Sequence, residues 1–160
     1  MNIYDFAMQM EQDQESLYRQ LAAKTKATGV QRILNLLAED EAKHYRIVRQ
    51  LKADAPAPQM ADTAVLSEAQ TIFSQMQGQS FDLGGLQVEV YKQAQELEHK
   101  SRDFYRDKAG QSENAAHKEL LQKLADEEQR HYFLLDHIIE FIDRPRTWIE
   151  DAEFNHLQEY

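Results

Sequence analysis

The sequence predicts an all-α fold: four long helices in a bundle, one long crossover between the second and third, and a short helix at the C-terminus. Three observations carry this. The chain of 160 residues holds only five Gly and three Pro, so few breaks interrupt its helices. Its apolar residues recur in steps of three and four. Two helix pairs with short turns are separated by roughly 30 residues, which is the spacing of a four-helix bundle with one crossover.

The elements follow in order. Helix A is expected from Tyr4 to Lys26, and "KATGV" makes the turn with Gly29 as the breaker. Helix B runs on to Ala53. Residues 54–85 form the crossover; "ADAPAPQMADTAV" carries two of the three prolines, and "LSEAQTIFSQMQ" reads as a short helix capped by Ser67. Helix C is expected from Leu86 to Lys108, "AGQSEN" turns the chain, and helix D extends from a Ser112 cap to Ile142. Pro145 opens the C-terminal helix over residues 145–160. Length and composition, 42% hydrophobic and 29% charged, suit a single domain over residues 1–160.

Charge and composition narrow the function. A net charge of −10 opposes a nucleic-acid partner, which needs a basic footprint. No apolar run is long enough for a membrane span. The acidic start "MNIYDFAMQMEQDQE" lacks the pattern of a signal peptide, so a cytoplasmic location is expected. The absence of cysteine removes disulfides and thiolate metal sites, including a rubredoxin-type iron centre, from this chain.

A shift of 87 residues lays the chain on itself without a gap. Ala7 falls on Ala94, Glu11 on Glu98, Tyr18 on Tyr105, Leu37 on Leu124, Glu41 on Glu128, His44 on His131 and Tyr45 on Tyr132. Each half reads A-x3-E-x6-Y, then E-x2-H-Y, so one helical hairpin is used twice. Helical spacing puts Leu34, Leu37, Glu41, His44 and Val48 on one stripe of helix B. It puts Leu121, Leu124, Glu128, His131 and Leu135 on one stripe of helix D. Glu11 and Glu98 share the inward stripes of helices A and C with Tyr18 and Tyr105. Four carboxylates and two imidazoles therefore point inward, midway along four helices.

Taking one ionised carboxylate out of water costs several kcal/mol, and four together add repulsion. No Lys or Arg lies on these stripes to neutralise them. Two divalent ions would balance four glutamates. The Glu-x-x-His spacing lets one helix offer an oxygen and a nitrogen to the same ion, and this donor set suits iron, manganese or zinc. One Glu-x-x-His is a weak signal; two, each preceded at the same distance by a matching helix, are a strong one.

These motifs resemble the ferritin-like dinuclear carboxylate (diiron) proteins, in particular the rubrerythrin-like branch without a rubredoxin domain. The resemblance runs from Tyr4 to Ile142. It implies that Glu11, Glu41, His44, Glu98, Glu128 and His131 hold two iron ions, with Glu41 and Glu128 bridging. It also implies that Tyr18 and Tyr105 hydrogen-bond ligating carboxylates. Characterised rubrerythrins carry a further glutamate three residues after the first helix C ligand, where this chain has Ser101. The set of four Glu and two His is similar to the bacterioferritin ferroxidase site, but Ala42 and Lys43 stand where a haem-ligating Met would be, so no haem is expected.

The resemblance implies a redox protein that reduces peroxide or dioxygen with electrons from a separate donor such as a rubredoxin-like protein, and that forms a homodimer. A ferroxidase or iron-handling role, a diiron oxygenase and a structural bundle with a zinc-filled site are the alternatives. His99 is expected off the site, His117 near a bundle end, and His137 and His156 in structural or exposed positions. Trp148 and Phe154 are expected to pack, and Gly84-Gly85 lacks the context of an anion site.

Overall fold

The computed structural model describes residues 2–53, 60, 62–75 and 88–143. Among them are five helices: α1 (Ile3–Lys24), α2 (Thr28–Lys52), α3 (Val65–Gln75), α4 (Val88–Gln111) and α5 (Ala115–Asp143). The described residues contain no strand. Together they build a ferritin-like helical bundle: α1 and α2 form one hairpin, α4 and α5 the other, and α3 belongs to the crossover. The expected C-terminal helix, with Trp148, Phe154 and His156, lies outside the described residues, as does Gly84-Gly85.

Local chemistry sets the helix ends, and it differs from the sequence reading at three of them. The first turn comprises Thr25, Lys26 and Ala27, and Gly29 already lies in the first turn of α2. Thr25 and Ala27 take extended backbone with negative φ, so this turn requires no glycine. The cap of α5 is Asn114, not Ser112: its Oδ1 accepts from the N–H groups of Ala116 and His117 at 3.0 and 3.1 Å. The Ser112 hydroxyl donates to the Asn114 carbonyl instead. At α3, Thr63 Oγ1 accepts from Val65 N at 3.1 Å, whereas the Ser67 hydroxyl donates back to the Ala64 carbonyl. At both caps a side chain two residues ahead of the first N–H it binds satisfies the orphan donors in place of the expected serine.

Two apolar cores result. One joins Tyr18, Ile33, Leu34, Leu37, Tyr91, Leu134 and Ile138 with Val65, Ala69, Ile72 and Phe73 of α3. Phe73 meets Phe141 at 5.6 Å between ring centroids, which fastens the crossover helix to α5. The other joins Ala7, Ile47, Val48, Leu51, Tyr105, Leu121 and Leu124. On every long helix the residues between these clusters are polar yet buried: Glu11 and Gln14 on α1, Glu41 and His44 on α2, Glu98 and Ser101 on α4, Glu128 and His131 on α5. Each buried Leu or Ile contributes about 1.5–3 kcal/mol. Two such cores hold the polar layer in place against its own desolvation cost.

Candidate metal centre

The polar layer is built from the middle turn of each long helix. On α2 and α5 the step of three residues brings Glu and His to the same side. On α1 and α4 a single glutamate faces them. The six side chains that the sequence singled out as ligands all have no exposed surface. They divide into two overlapping groups, Glu11, Glu41, His44 and Glu128, and Glu41, Glu98, Glu128 and His131. In each group the candidate ligand atoms lie within 4.8 Å of one another. Glu41 and Glu128 belong to both groups. The two imidazoles lie nearly parallel, with centroids 5.8 Å apart and planes 15° apart.

The hydrogen bonds cross between the hairpins. Tyr18 Oη of α1 donates to Glu98 Oε1 of α4, and Tyr105 Oη of α4 donates to Glu11 Oε1 of α1. On the other side of the layer, His44 Nε2 of α2 lies 2.8 Å from Glu127 Oε1 of α5. His131 Nε2 of α5 lies 2.8 Å from Asp40 Oδ2 of α2. Each imidazole is thus oriented through Nε2, and its Nδ1 is turned into the layer. His131 Nδ1 there lies 2.8 Å from Glu41 Oε1, and His44 Nδ1 lies 2.7 Å from Glu128 Oε1. The second of these contacts lacks hydrogen-bond alignment.

Asp40 and Glu127 escaped the reading of single-helix stripes, which favoured Glu41 over its neighbours. The repeat held the missing signal, because Asp40 falls on Glu127 under the same 87-residue shift. Behind them the two sides differ. Lys43 Nζ lies 2.9 Å from Glu127 Oε1 and farther, 3.9 Å, from Asp40 Oδ1, while Thr63 Oγ1 donates to Asp40 Oδ2.

The electrostatics are those of a site that lacks positive charge. Burial, reinforced by the charges of Glu98 and Glu11, pushes the Glu41 carboxyl well above the usual range. Burial and the charges of Glu41 and Glu98 do the same to Glu128. Burial also acts on Glu11, but hydrogen bonding with Glu41 and the charge of His44 outweigh it and hold that carboxyl low. His44 and His131 are raised well above the ordinary value: burial opposes this, and the charges of Glu11 and Glu98 respectively prevail. Burial pushes both tyrosine hydroxyls up, with Glu98 adding to the effect at Tyr18 and Glu11 at Tyr105, so both remain donors. Asp40 is brought down to about 2: burial opposes this, and its bond to His131 prevails.

Several buried atoms in the layer have no hydrogen-bond partner: Glu11 Oε2, Glu41 Oε2, Glu98 Oε2, both oxygens of Glu128 and His44 Nδ1. Native interiors rarely leave so many acceptors unpaired in one place. Their convergence, with carboxylate and imidazole donors only, fits a dinuclear site for divalent ions.

Other candidates stand apart. His99 pairs with Asp103 at 3.0 Å on the outside of α4, and His117 sits in the first turn of α5. His137 is buried and belongs to neither ligand group. A cleft of about 170 Å³ between the start of α1 and the end of α4, lined by Ile3, Tyr4, Ala7 and Phe104 among others, reaches Tyr105. Among the described residues, no helix is long and apolar enough to cross a membrane.

The rubrerythrin family model matches residues 2–139, which contain all six candidate ligands, both tyrosines, Asp40 and Glu127. No curated protein and no solved structure gives a significant match.

Proposed function

This chain belongs to the rubrerythrin family, and on that premise we propose that it holds two iron ions and reduces peroxide or dioxygen with electrons from a separate donor. Glu11, Glu41, His44 and Glu128 would hold one ion; Glu41, Glu98, Glu128 and His131 would hold the other. The observation that carries the reading is the pair of overlapping ligand groups with unpaired buried oxygens. When bound, two ferrous ions would supply the two electrons that, with two protons, convert hydrogen peroxide to two waters.

The chain's own residues set the conditions. Tyr18 and Tyr105 fix one oxygen each of Glu98 and Glu11 and leave the other to face a metal. Glu127 and Asp40 fix the histidine tautomers with Nδ1 directed inward. The cores above and below keep bulk water out. In this proposal the electrons come from a separate donor such as a rubredoxin-like protein, since these 160 residues hold no cysteine for a thiolate iron centre, and the working form is a homodimer. The reaction is tested by loading the protein with ferrous iron, removing oxygen and adding one equivalent of peroxide. Loss of both ferrous equivalents is expected. Iron that remains fully ferrous would sink the assignment.

A second reading, oxidation of Fe(II) for storage or transfer, is favoured by the symmetric set of four Glu and two His and by Ser101 on α4. Size-exclusion chromatography separates the two: a large shell supports iron handling and a dimer supports the peroxidase.

A further inference from the structure

The two ends of the bundle are filled differently. The cleft of about 170 Å³ opens at the end where α1 and α5 begin and where α2 and α4 finish, and all four of these helices line it. Its inner wall is Ala7, Val48, Leu121 and the ring of Tyr105, all buried. The 87-residue shift turns these four into Ala94, Leu135, Leu34 and Tyr18, and it turns Lys108 at the rim into Leu21. Those five counterparts belong to the apolar core to which α3 adds Val65 and Phe73. At that end Leu135 takes the place of the smaller Val48, and an apolar Leu21 takes the place of a lysine. One end is packed solid; the repeat-related end is hollow and open.

The hollow end also stands close to the ligand layer. Ala7 lies four residues before Glu11 on α1, and Val48 lies four residues after His44 on α2. One helical turn, about 6 Å of rise, therefore separates each from a candidate ligand. Tyr105 spans that turn: its ring lines the cleft, and its hydroxyl donates to Glu11 Oε1. A phenolic oxygen that donates one hydrogen bond also accepts. The inner wall thus combines three apolar side chains with one acceptor beside the layer.

This lining selects its occupant. An apolar cavity of about 150 Å³ takes a benzene-sized molecule, so the cleft has room for one small ring or branched alkyl group. The charged group among the lining residues is Lys108. Its ammonium is engaged at the rim, 3.4 Å from Asp107 Oδ2 and 5.7 Å from the centroid of the Phe104 ring. An anion seated deeper would give up water without gaining a cation. A neutral molecule with an apolar body and one terminal O–H suits the cleft: the body packs on Val48 and Leu121, and the O–H donates to Tyr105 Oη.

We propose that the cleft seats the organic group of an alkyl or aryl hydroperoxide, which makes neutral organic hydroperoxides of about this size a substrate class of the protein. This rests on the peroxide reading above. The balance is the same as for hydrogen peroxide: the O–O bond breaks, two ferrous ions give up one electron each, two protons are taken up, and R–OOH becomes R–OH and water.

Two measurements test the inference. The first is binding without turnover: 2-phenyl-2-propanol, the alcohol formed from cumene hydroperoxide, is titrated into the zinc-loaded protein and followed by methyl NMR. Shifts are expected at Ala7, Val48 and Leu121 and not at their counterparts Ala94, Leu135 and Leu34. The second compares cumene hydroperoxide with hydrogen peroxide as oxidants of the ferrous-loaded protein without oxygen. Val48→Leu, which copies the filled end, is expected to lower the ratio of the two rate constants about tenfold, and Val48→Phe to lower it further. Should Val48→Phe fail to fold, Val48→Leu decides. If hydrogen peroxide leaves the unaltered protein ferrous, the peroxide reading and this inference fall together. If hydrogen peroxide oxidises it, then three results would each overturn the inference alone: no alcohol shifts at the cleft, no oxidation by cumene hydroperoxide, or an unchanged ratio in Val48→Leu.

Discussion

The two hairpins are alike where they face each other and unlike one layer behind. Facing inward, both present a glutamate, a Glu-x-x-His pair and a tyrosine at matching positions. Behind His44 stands Glu127, only 2% exposed and bound by Lys43. Behind His131 stands Asp40, part-buried and held by the Thr63 hydroxyl from the segment before α3. The inner residues must satisfy one coordination chemistry, so residue type and spacing repeat. The outer residues need only present a carboxylate oxygen to Nε2. A shorter Asp with a crossover hydroxyl and a longer Glu with a lysine both meet that need.

The inner equivalence is best broken at the carboxylates common to both ligand groups. Glu41→Gln and Glu128→Gln are each expected to lower the affinity for both ions by about a hundredfold or more. Metal content and competition with a chelator measure this. The same variants should raise the melting temperature of the metal-free protein, since each removes a carboxyl that burial and its neighbours push well above the usual range. If one substitution removed a single ion and the other removed both, the internal symmetry would not extend to metal binding.

The outer difference gives a smaller effect. Asp40→Asn and Glu127→Gln are each expected to weaken metal binding about 10- to 100-fold. Glu127→Gln should cost more, because it also removes the nearer of two carboxylates beside the largely buried Lys43 ammonium and leaves it Asp40 at 3.9 Å. Chelator competition on both variants sharpens the comparison. Equal losses would mean that the lysine and the threonine are equivalent supports.

The smallest expected effect is a pH dependence shared by both halves. In the metal-free protein Glu41 and Glu128 are raised above 4.5, so above that pH the unfolded chain sheds protons that the folded one keeps, and stability falls. His44 and His131 are raised above 6.5; their contribution is full below that value and lost as pH rises through the folded one. Asp40, brought from 3.8 to about 2, acts oppositely: its contribution is present above 3.8 and lost as pH falls toward 2. The metal-free protein should therefore melt several degrees lower at about pH 8 than at about pH 5, because the glutamates and the histidines both favour the lower value. Iron loading should release protons and reverse that order. Calorimetry in buffers of different ionisation heat would detect the release.

How much of this was legible in the sequence depended on how far each signal reached. The bundle and the six residues of the polar layer followed from two regularities, the helical period and the 87-residue repeat, because both span whole helices. Helix ends were less legible. Ser112 and Asn114 are both good caps, and only the path of the turn puts Asn114 against the first N–H groups of α5. Asp40 and Glu127 were missed for a different reason. Each lies beside the inward stripe of its own helix, and the opposite hairpin's histidine is what gives it a partner. Gln14 and Ser101 were readable only as unlike residues in register. Their contact appears once α1 and α4 are side by side.

The crossing of these bonds has a consequence for how long an ion stays. Close backbone contacts lie mainly within each hairpin, and the hairpins meet chiefly through side chains. Neither hairpin alone can orient its own histidine or brace its own α1- or α4-type glutamate, since each of those bonds ends on the other hairpin. A bound ion of either kind would be a clasp across that seam. Its residence time would then follow how often the halves part, and hydrogen exchange at the seam would slow when the clasp is closed.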